Sequence, residues 1–433
     1  MKLPPYPKTK PSGVDWLGDV PEHWEVKRLS YLATLKSGEN ITSEMIAEGG
    51  DYPVYGGNGF RGNYHQFTHR GHYALIGRQG ALCGNINYAS GEFWASEHAL
   101  VVSPLKEFAV IWMGELLRAM NLGQYSVTAA QPGIAAEMIG GLRIPVPPLP
   151  EQRAIALFLD RETGRVDRLV AKKRELIERL KEKRTALISR TVTRGLPPAA
   201  AKASGFPANP HMKNSGIEWI GEIPGHWSAK KLGYGAWLQG GYAFASDKFD
   251  SEGVPVVRMN NLKRGALDTF QASCVAPENC VETVALAEGD LLWGMSGSIG
   301  ETGSLGNFAR VRQSDLPAQL NQRVGRFRVI GEQVSLDYLT FVIQTKFFYD
   351  QILLFVTGTA QFNVSSAQVQ SVFLPFPPLP EQAAIAAYLD EETAKLDALV
   401  GKVAEAVERL QEYRTALITA AVTGKIDVRK ETK

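Results

Sequence analysis

The chain is poor in three things. It has only three cysteines in 433 residues, an odd number. Cys274 and Cys280 lie close together while Cys83 is remote, so neither a disulfide framework nor a four-ligand zinc site fits. It has almost no net charge: 47 Lys+Arg against 45 Asp+Glu leave +2, so a global basic footprint is absent. It also lacks any apolar run near the ~18 residues that a transmembrane helix needs. Met1 to Lys10 holds three prolines and no apolar signal core. These absences predict a reduced, cytoplasmic chain away from membranes. The 44% hydrophobic and 21% charged content is ordinary for a folded protein, and at ~150 residues per domain the length suggests about three domains.

What the chain does have is a repeat. Ser12-Gly-Val-Asp-Trp-Leu-Gly-Asp-Val-Pro-Glu-His-Trp24 returns as Ser215-Gly-Ile-Glu-Trp-Ile-Gly-Glu-Ile-Pro-Gly-His-Trp227. Pro147-Pro-Leu-Pro-Glu-Gln152 returns as Pro377-Pro-Leu-Pro-Glu-Gln382, and extending that match to Thr193 and Thr423 gives 29 identities in 47 positions. The chain is a tandem duplication. Residues 30–146 and 233–376, which lie between the repeated segments, barely match. One frame holding two dissimilar inserts implies one scaffolding task and two separate reading tasks. Trp16, Trp24, Trp219 and Trp227, with His23 and His226, belong to the frame and are expected to pack.

Pro150 and Pro380 suit the first position of a helix, and Glu151 and Glu381 favour its positive end. About forty proline-free residues follow each, a helix of ~60 Å and the length of a coiled coil. The second copy carries an unbroken seven-residue stripe, Leu389, Leu396, Val403, Leu410 and Leu417, with Leu399, Ala406 and Tyr413 as the alternate row. The first keeps Leu159, Val166, Leu180 and Leu187, with Leu169 and Leu176 alternate and Lys173 and Lys183 at seam positions. Residues 151–195 carry thirteen basic and seven acidic side chains, and 381–425 five and eight. Sister helices of opposite sign suit an antiparallel pair. The expected division is a first domain at 1–146, a long helix at 147–196, a linker at 197–213, a second domain at 214–376, a second long helix at 377–426 and a tail at 427–433.

Both middles read as short strands and glycine-rich loops carrying side chains suited to base edges and phosphates. The candidate readers are Asn58, Arg61, Tyr64, Arg78 and Gln79 in the first, and Asn260, Lys263, Arg264, Ser296, Ser298, Gln322, Arg323 and Asn363 in the second. Each middle is slightly acidic by count, seven basic against nine acidic and ten against thirteen, so DNA affinity has to come from local clustering.

Several look-alikes fail. Gly57-Asn-Gly-Phe-Arg-Gly62 matches a dinucleotide fingerprint, but Asn63 to Arg70 does not read as the helix that must follow. Leu3-Pro-Pro-Tyr6 lacks the polar residue that precedes an amino-methyltransferase core. No P-loop signature occurs, and His65, His69 and His72 have no Cys or acidic residue among them to complete a metal site.

The two Pro-Pro-Leu-Pro-Glu-Gln helices ending in Arg184-Thr-Ala-Leu187 and Arg414-Thr-Ala-Leu417, the Trp-x-x-x-x-Pro-x-His-Trp strings and the Tyr55-Gly-Gly-Asn-Gly59 loop together resemble the specificity subunit of a type I restriction–modification system. The resemblance covers essentially the whole chain. It implies an α+β protein: two α/β target-recognition domains separated by two long antiparallel helices, with pseudo-twofold symmetry. It further implies that each domain reads half of a split, asymmetric double-stranded DNA target, with half-sites about one helical turn (~34 Å) apart. The helices would dock two methyltransferase subunits. S-adenosylmethionine, ATP and Mg would belong to the methyltransferase and motor-nuclease partners, with no cofactor, metal or catalytic site in this chain. The seam lysines of the first helix depart from exact symmetry. The rival readings are a DNA-independent coiled-coil adaptor and a stand-alone DNA methyltransferase.

Overall fold

The computed structural model describes residues 4–46, 50–80, 82–126, 133–300, 303–356 and 362–431. They form two α+β units. One joins Met1–Glu175 to Val403–Lys433, and the other is Leu176–Lys402. The division passes through both long helices, Leu149–Arg194 and Leu379–Val422. Each unit therefore contains one variable middle, the near half of its own helix and the far half of the other. The expected linker is partly structured: Pro198–Ala203 is a short helix, Ala201 is buried, and Met212–Asn214 is already a strand of the second frame.

The repeated sequences build the same frame twice. Thr9–Pro11 pairs antiparallel with Asp19–Pro21, and Met212–Asn214 pairs with Glu222–Pro224. The strand after each His-Trp then pairs with the one before each Pro-Pro-Leu-Pro: Glu25–Arg28 with Arg143–Val146, and Ser228–Lys231 with Phe373–Phe376. Each variable middle is thus closed at its base by a frame strand pair. Trp24 and Trp227 are fully buried there, as expected. Trp16 and Trp219 are not: they are 38% and 44% exposed, which corrects the packing reading. They lie in the turn between the two hairpin strands, where the following Leu17 and Ile220 are the buried residues.

The motif Pro-Pro-Leu-Pro-Glu-Gln is a clasp. Gln152 donates to Pro147 O (2.9 Å) and accepts from Ala109 N–H (3.1 Å). Gln382 donates to Pro377 O (2.8 Å) and Gln333 O (2.9 Å) and accepts from Ser335 N–H (2.9 Å). Both glutamines and both preceding glutamates are buried, so these polar groups need such partners. Glu151 meets His23 at 2.8 Å and the Tyr6 hydroxyl, while Glu381 meets His226 at 2.7 Å and Trp227 Nε1 at 2.9 Å.

Within each unit the two helix segments run antiparallel. In the first unit Asp167 binds Arg414 Nε (2.9 Å), and Val166 and Val170 pack on Val407 and Leu410. In the second Arg184 Nε binds Asp397 (3.0 Å), and Ile188 and Val192 share a core with Ile385 and Leu389. The repeat maps one Arg–Asp pair onto the other.

The seam differs from expectation in its alternate row. Leu159, Val166, Leu180, Leu389, Leu396, Val403 and Leu417 are buried, with Leu187 and Leu410 half-buried. Leu169, Leu176, Leu399 and Tyr413 are exposed, and so is Lys183. Val170 is 7% exposed where its neighbour Leu169 is 41%. A seven-residue stripe admits an alternate row three or four residues on. The row four on carries β-branched Val170, Ile177, Thr393, Val400 and Val407 together with Arg184 and Arg414, whose ion pairs cross between the helices and fix it. Lys173 stays half-buried on the row of Val403.

Above the frames the units diverge. The first holds a six-stranded sheet in the order Ala33–Ser37, Ala99–Pro104, His69–Gly77, Ile86–Ala95, Tyr52–Gly56, Gly59–Tyr64. Phe93 anchors one face, ringed by Tyr55, Tyr73 and a stacked His69. The second holds two smaller four-stranded sheets, one of Ala236–Gly240, Val324–Val329, Leu291–Gly294 and Phe308–Arg310. Here a buried ion pair replaces the aromatic cluster. Arg326, 2% exposed, gives Nη1 to Asp290 (2.8 Å) and Ala285 O (2.7 Å), and Nη2 to Gln239 (2.9 Å) and Thr283 O (3.1 Å). No helix among the described residues is long and apolar enough to cross a membrane.

Candidate nucleic-acid interface

In the first unit the turn between Tyr52–Gly56 and Gly59–Tyr64 meets two loops, the one after strand His69–Gly77 and the turn before strand Ala99–Pro104. They enclose an open depression of about 490 Å³ lined by Gly57, Asn58, Phe60, Arg61, Gln79, Gly80, Leu82 and His98. Gly77 permits this convergence, because a Cβ there would stand 2.5 Å from Gly57 O and 2.9 Å from Leu82 O. Asn58, Arg61 and Gln79 are exposed in it, as a reading surface requires.

Two further candidates lie elsewhere. Arg78 is half-buried and donates Nη1 to Ser37 Oγ (2.8 Å), so it props the adjoining strand. Tyr64 packs edge-on against Trp94 with centroids 5.1 Å apart, in a small core with Ile41 and Val54. His98, absent from the sequence-based set, turns out to be part of the site. Its Nδ1 is 3.1 Å from Gln79 Oε1 and its Nε2 is 3.1 Å from Glu97 Oε1, while Glu97 Oε2 accepts the Ile41 N–H at 3.3 Å. Nothing local in sequence marks a partner nineteen residues away.

In the second unit two depressions of about 410 and 450 Å³ adjoin, sharing Met259, Asn260 and Ser304. Phe244, Phe249, Arg258, Asn321, Gln322 and Arg323 complete the first. Leu262, Lys263, Arg264, Gly303 and Asn307 complete the other. Five candidates, Asn260, Lys263, Arg264, Gln322 and Arg323, are thus brought together from two segments sixty residues apart. The hairpin Leu262–Lys263 with Ala266–Leu267 turns tightly at Arg264 and Gly265, both with positive φ, which projects the basic pair. Arg258 was missed: its guanidinium lies 3.9 Å over the Phe249 ring, which holds the cation flat at the wall. Its place directly after the apolar strand Val254–Val257 was the available signal.

Ser296 is a correction: it is buried, and its hydroxyl binds Asn363 Oδ1 at 2.7 Å in a short strand pair, so it braces the fold there, while Asn363 itself is exposed. Ser298 is exposed beyond that pair. Burial against Phe93 lowers the His69 pKa, and no group of three or more His, Cys, Asp or Glu among the described residues could hold a metal.

Among the described residues none of the three depressions has a carboxylate in its lining, although both middles are acidic by count. Arg258, Lys263, Arg264 and Arg323 converge in the second unit, and Arg61 lines the depression of the first. The acidic residues are spent elsewhere, as Asp290 is in the core. Local clustering therefore supplies what net charge does not.

The sequence profile of the type I restriction modification DNA specificity domain matches residues 21–179 and again 224–409. The chain belongs to that family. Its two matches coincide with the two copies of the repeat. Over 139 residues the chain is 41% identical to the type I restriction enzyme EcoprrI specificity subunit of Escherichia coli, covering 31% of this chain and 35% of that one. The chain thus spans about a third of that relative. The type I restriction enzyme MjaVIII specificity subunit of Methanocaldococcus jannaschii matches over 430 residues at 23% identity, 95% of this chain and 94% of that one.

Among solved structures, a chain from work described as "Structural basis underlying complex assembly and conformational transition of the type I R-M system" shares the fold at a TM-score of 0.68. That match has 18% identity and covers 93% of this chain and 98% of the other. The HsdS subunit from Thermoanaerobacter tengcongensis matches at 0.51 and 17%, over 94% and 98%. As a member of this family the chain is a DNA target-recognition subunit and not itself an enzyme. The adaptor and stand-alone methyltransferase readings are not favoured. The family's DNA specificity domain makes DNA its partner in general terms.

Proposed function

We propose that each unit reads one half of a split, asymmetric DNA target through the depressions described above, with Asn58, Arg61 and Gln79 at one half-site and Arg258, Asn260, Lys263, Arg264, Gln322 and Arg323 at the other. The observation that carries this reading is the gathering of Arg258, Asn260, Lys263, Arg264, Gln322 and Arg323 from separate segments around two adjoining depressions, in a middle that is acidic overall. Arg and Lys set the register on phosphates, while Asn, Gln and Arg address base edges. The duplicated frame and long helices suit the docking of two methyltransferase subunits. Those subunits would bring S-adenosylmethionine, and motor-nuclease subunits would consume ATP with Mg; this chain supplies recognition only.

The test is a methylome. The chain is co-expressed with its methyltransferase subunit in a host without adenine methylation, and modified bases are then sequenced. Methyladenine confined to one two-part motif is the expected result; modification unlinked to sequence would defeat the proposal. Within that assay Arg323→Ala should relax one half of the motif only, costing about 1–3 kcal/mol of discrimination there.

A further inference from the structure

We infer that the depression around Asn321 in the second unit holds a single nucleobase that has left the DNA stack, a task separate from reading base edges at its rim; this rests on the reading of that rim as a half-site contact. The depression of about 410 Å³ falls in the range of small-ligand sites, ample for one planar base. Asn260, Gln322 and Arg323 are exposed at its mouth, whereas Asn321 and Phe244, 7% and 8% exposed, form its inner wall.

The aromatic side of that wall is assembled in steps. Tyr242 and Phe244 meet edge-on with centroids 4.9 Å apart, and Phe244 packs on Phe249 at 6.3 Å. The Arg258 guanidinium lies 3.9 Å over the Phe249 ring. Two backbone bonds hold this segment beside Asn321: the Tyr242 N–H donates to Leu320 O (2.9 Å), and the Gln322 N–H donates to Tyr242 O (3.1 Å). Aromatic rings and a guanidinium plane together are what the face of a base stacks on.

The deciding group is the Asn321 amide. Its Oδ1 accepts the Arg323 N–H at 3.4 Å, and among the described residues its Nδ2 makes no hydrogen bond. A recessed donor without a partner is costly, so the wall is built to meet an acceptor. Base edges of an intact duplex do not supply one. They lie at the floor of a groove ~8.5 Å deep and are met by side chains that protrude, not by one set back in a concavity. A base swung out of the helix brings its ring nitrogens and carbonyls to the amide and its faces to the aromatic wall. The first unit lacks this arrangement, because the polar side chains lining its depression are exposed or half-buried.

The test uses the assembled complex with methyltransferase subunits and duplexes mispaired at one position at a time, on either strand. The pair carrying the methylated adenine is omitted, because methyltransferases extrude that base themselves. A pair read in the groove loses its edge pattern when mispaired, and binding weakens there. A pair that has to open binds more tightly when already unpaired, by about 10–100-fold. One position of the second half-site should tighten in this way, and none of the first. Asn321→Asp keeps the acceptor for Arg323 N–H and removes the donor, so the tightening should disappear. Arg258→Met keeps an apolar chain near Phe249 and removes the guanidinium plane, so the tightening should shrink. Unchanged discrimination at the first half-site shows that both variant complexes are intact.

No tightening at any position, with Arg323→Ala still relaxing the second half-site, would overturn the inference and leave the reading of the rim in place. Tightening that survives both variants would put the open base elsewhere and overturn it too. The four deoxynucleoside monophosphates are also titrated into the DNA-free complex. Saturable binding that Asn321→Asp abolishes, without tightening on any mispaired duplex, would assign the depression to a free nucleotide instead of a DNA base. No effect of Arg323→Ala on the second half-site would remove the half-site reading, and the inference with it.

Discussion

Glu151 and Glu381 hold equivalent places in the two units, at the start of each long helix, and yet they are satisfied differently. His23 and His226 serve both in the same way. The second partner of Glu381 is the indole of Trp227, whereas the second partner of Glu151 is the hydroxyl of Tyr6, and the buried Trp24 Nε1 is left without a hydrogen bond. The frame needs a buried carboxylate with two donors; it does not need a particular residue to give the second. The recognition domains extend the lesson. On nearly identical bases, one sheet is built around an aromatic cluster and the other around a buried ion pair, because only the base has to match its twin.

That contrast can be broken most severely at the ion pair that only the second unit possesses. Asp290→Ala leaves the Arg326 guanidinium buried and uncompensated, at a cost of about 3–5 kcal/mol. Urea denaturation should show that loss, with second half-site recognition failing before the first. A smaller effect sharpens the comparison of the clasps. Trp24→Phe and Trp227→Phe lose the same ring volume from a buried site. Trp227→Phe also removes a hydrogen bond to a carboxylate and should destabilise by about 1.5–3 kcal/mol more than Trp24→Phe, whose indole nitrogen already lacks a partner. Equal losses in the two variants would contradict the hydrogen-bond assignment. The smallest effect concerns the swapped ion pairs. Arg414→Ala should cost about 0.2–1 kcal/mol and fade at high salt. Arg184→Ala should cost slightly more, because Arg184 also donates to Gln344 at 3.0 Å.

The long helices and the frame were legible because their signals are local and occur twice. Repetition turned a weak stripe into a firm one, and it also relates Arg184 and Asp397 to Arg414 and Asp167. The alternate seam row was not legible. Leu169 and Val170 are both apolar, and a period of 3.5 accepts either neighbour, so only the cross-helix arginines decide. Of the reading surface, the loops that end strands were visible and their company was not. Gln79 with His98, Arg78 with Ser37 and Ser296 with Asn363 are pairings made by folding across 19, 41 and 67 residues. Trp16 and Trp219 misled because duplication looks the same whether a residue is kept for a core or for a surface.

The division of the chain also bears on the order in which it takes shape during synthesis. The second unit is continuous, Leu176–Lys402, whereas the first needs Val403–Lys433. Lys425 reaches back to the carbonyls of Leu17 (3.0 Å) and Asp19 (2.8 Å), the Asp427 N–H bonds Pro4 O (2.8 Å), and Val428 is fully buried in the first core. The half translated first is thus the half completed last. At roughly 5–20 residues per second it waits roughly 10–50 s for its closing strip. During that interval the apolar face around Trp24 and Ile155 stands open to chaperones, and any message broken near its 3′ end yields a chain able to build one reader and not the other.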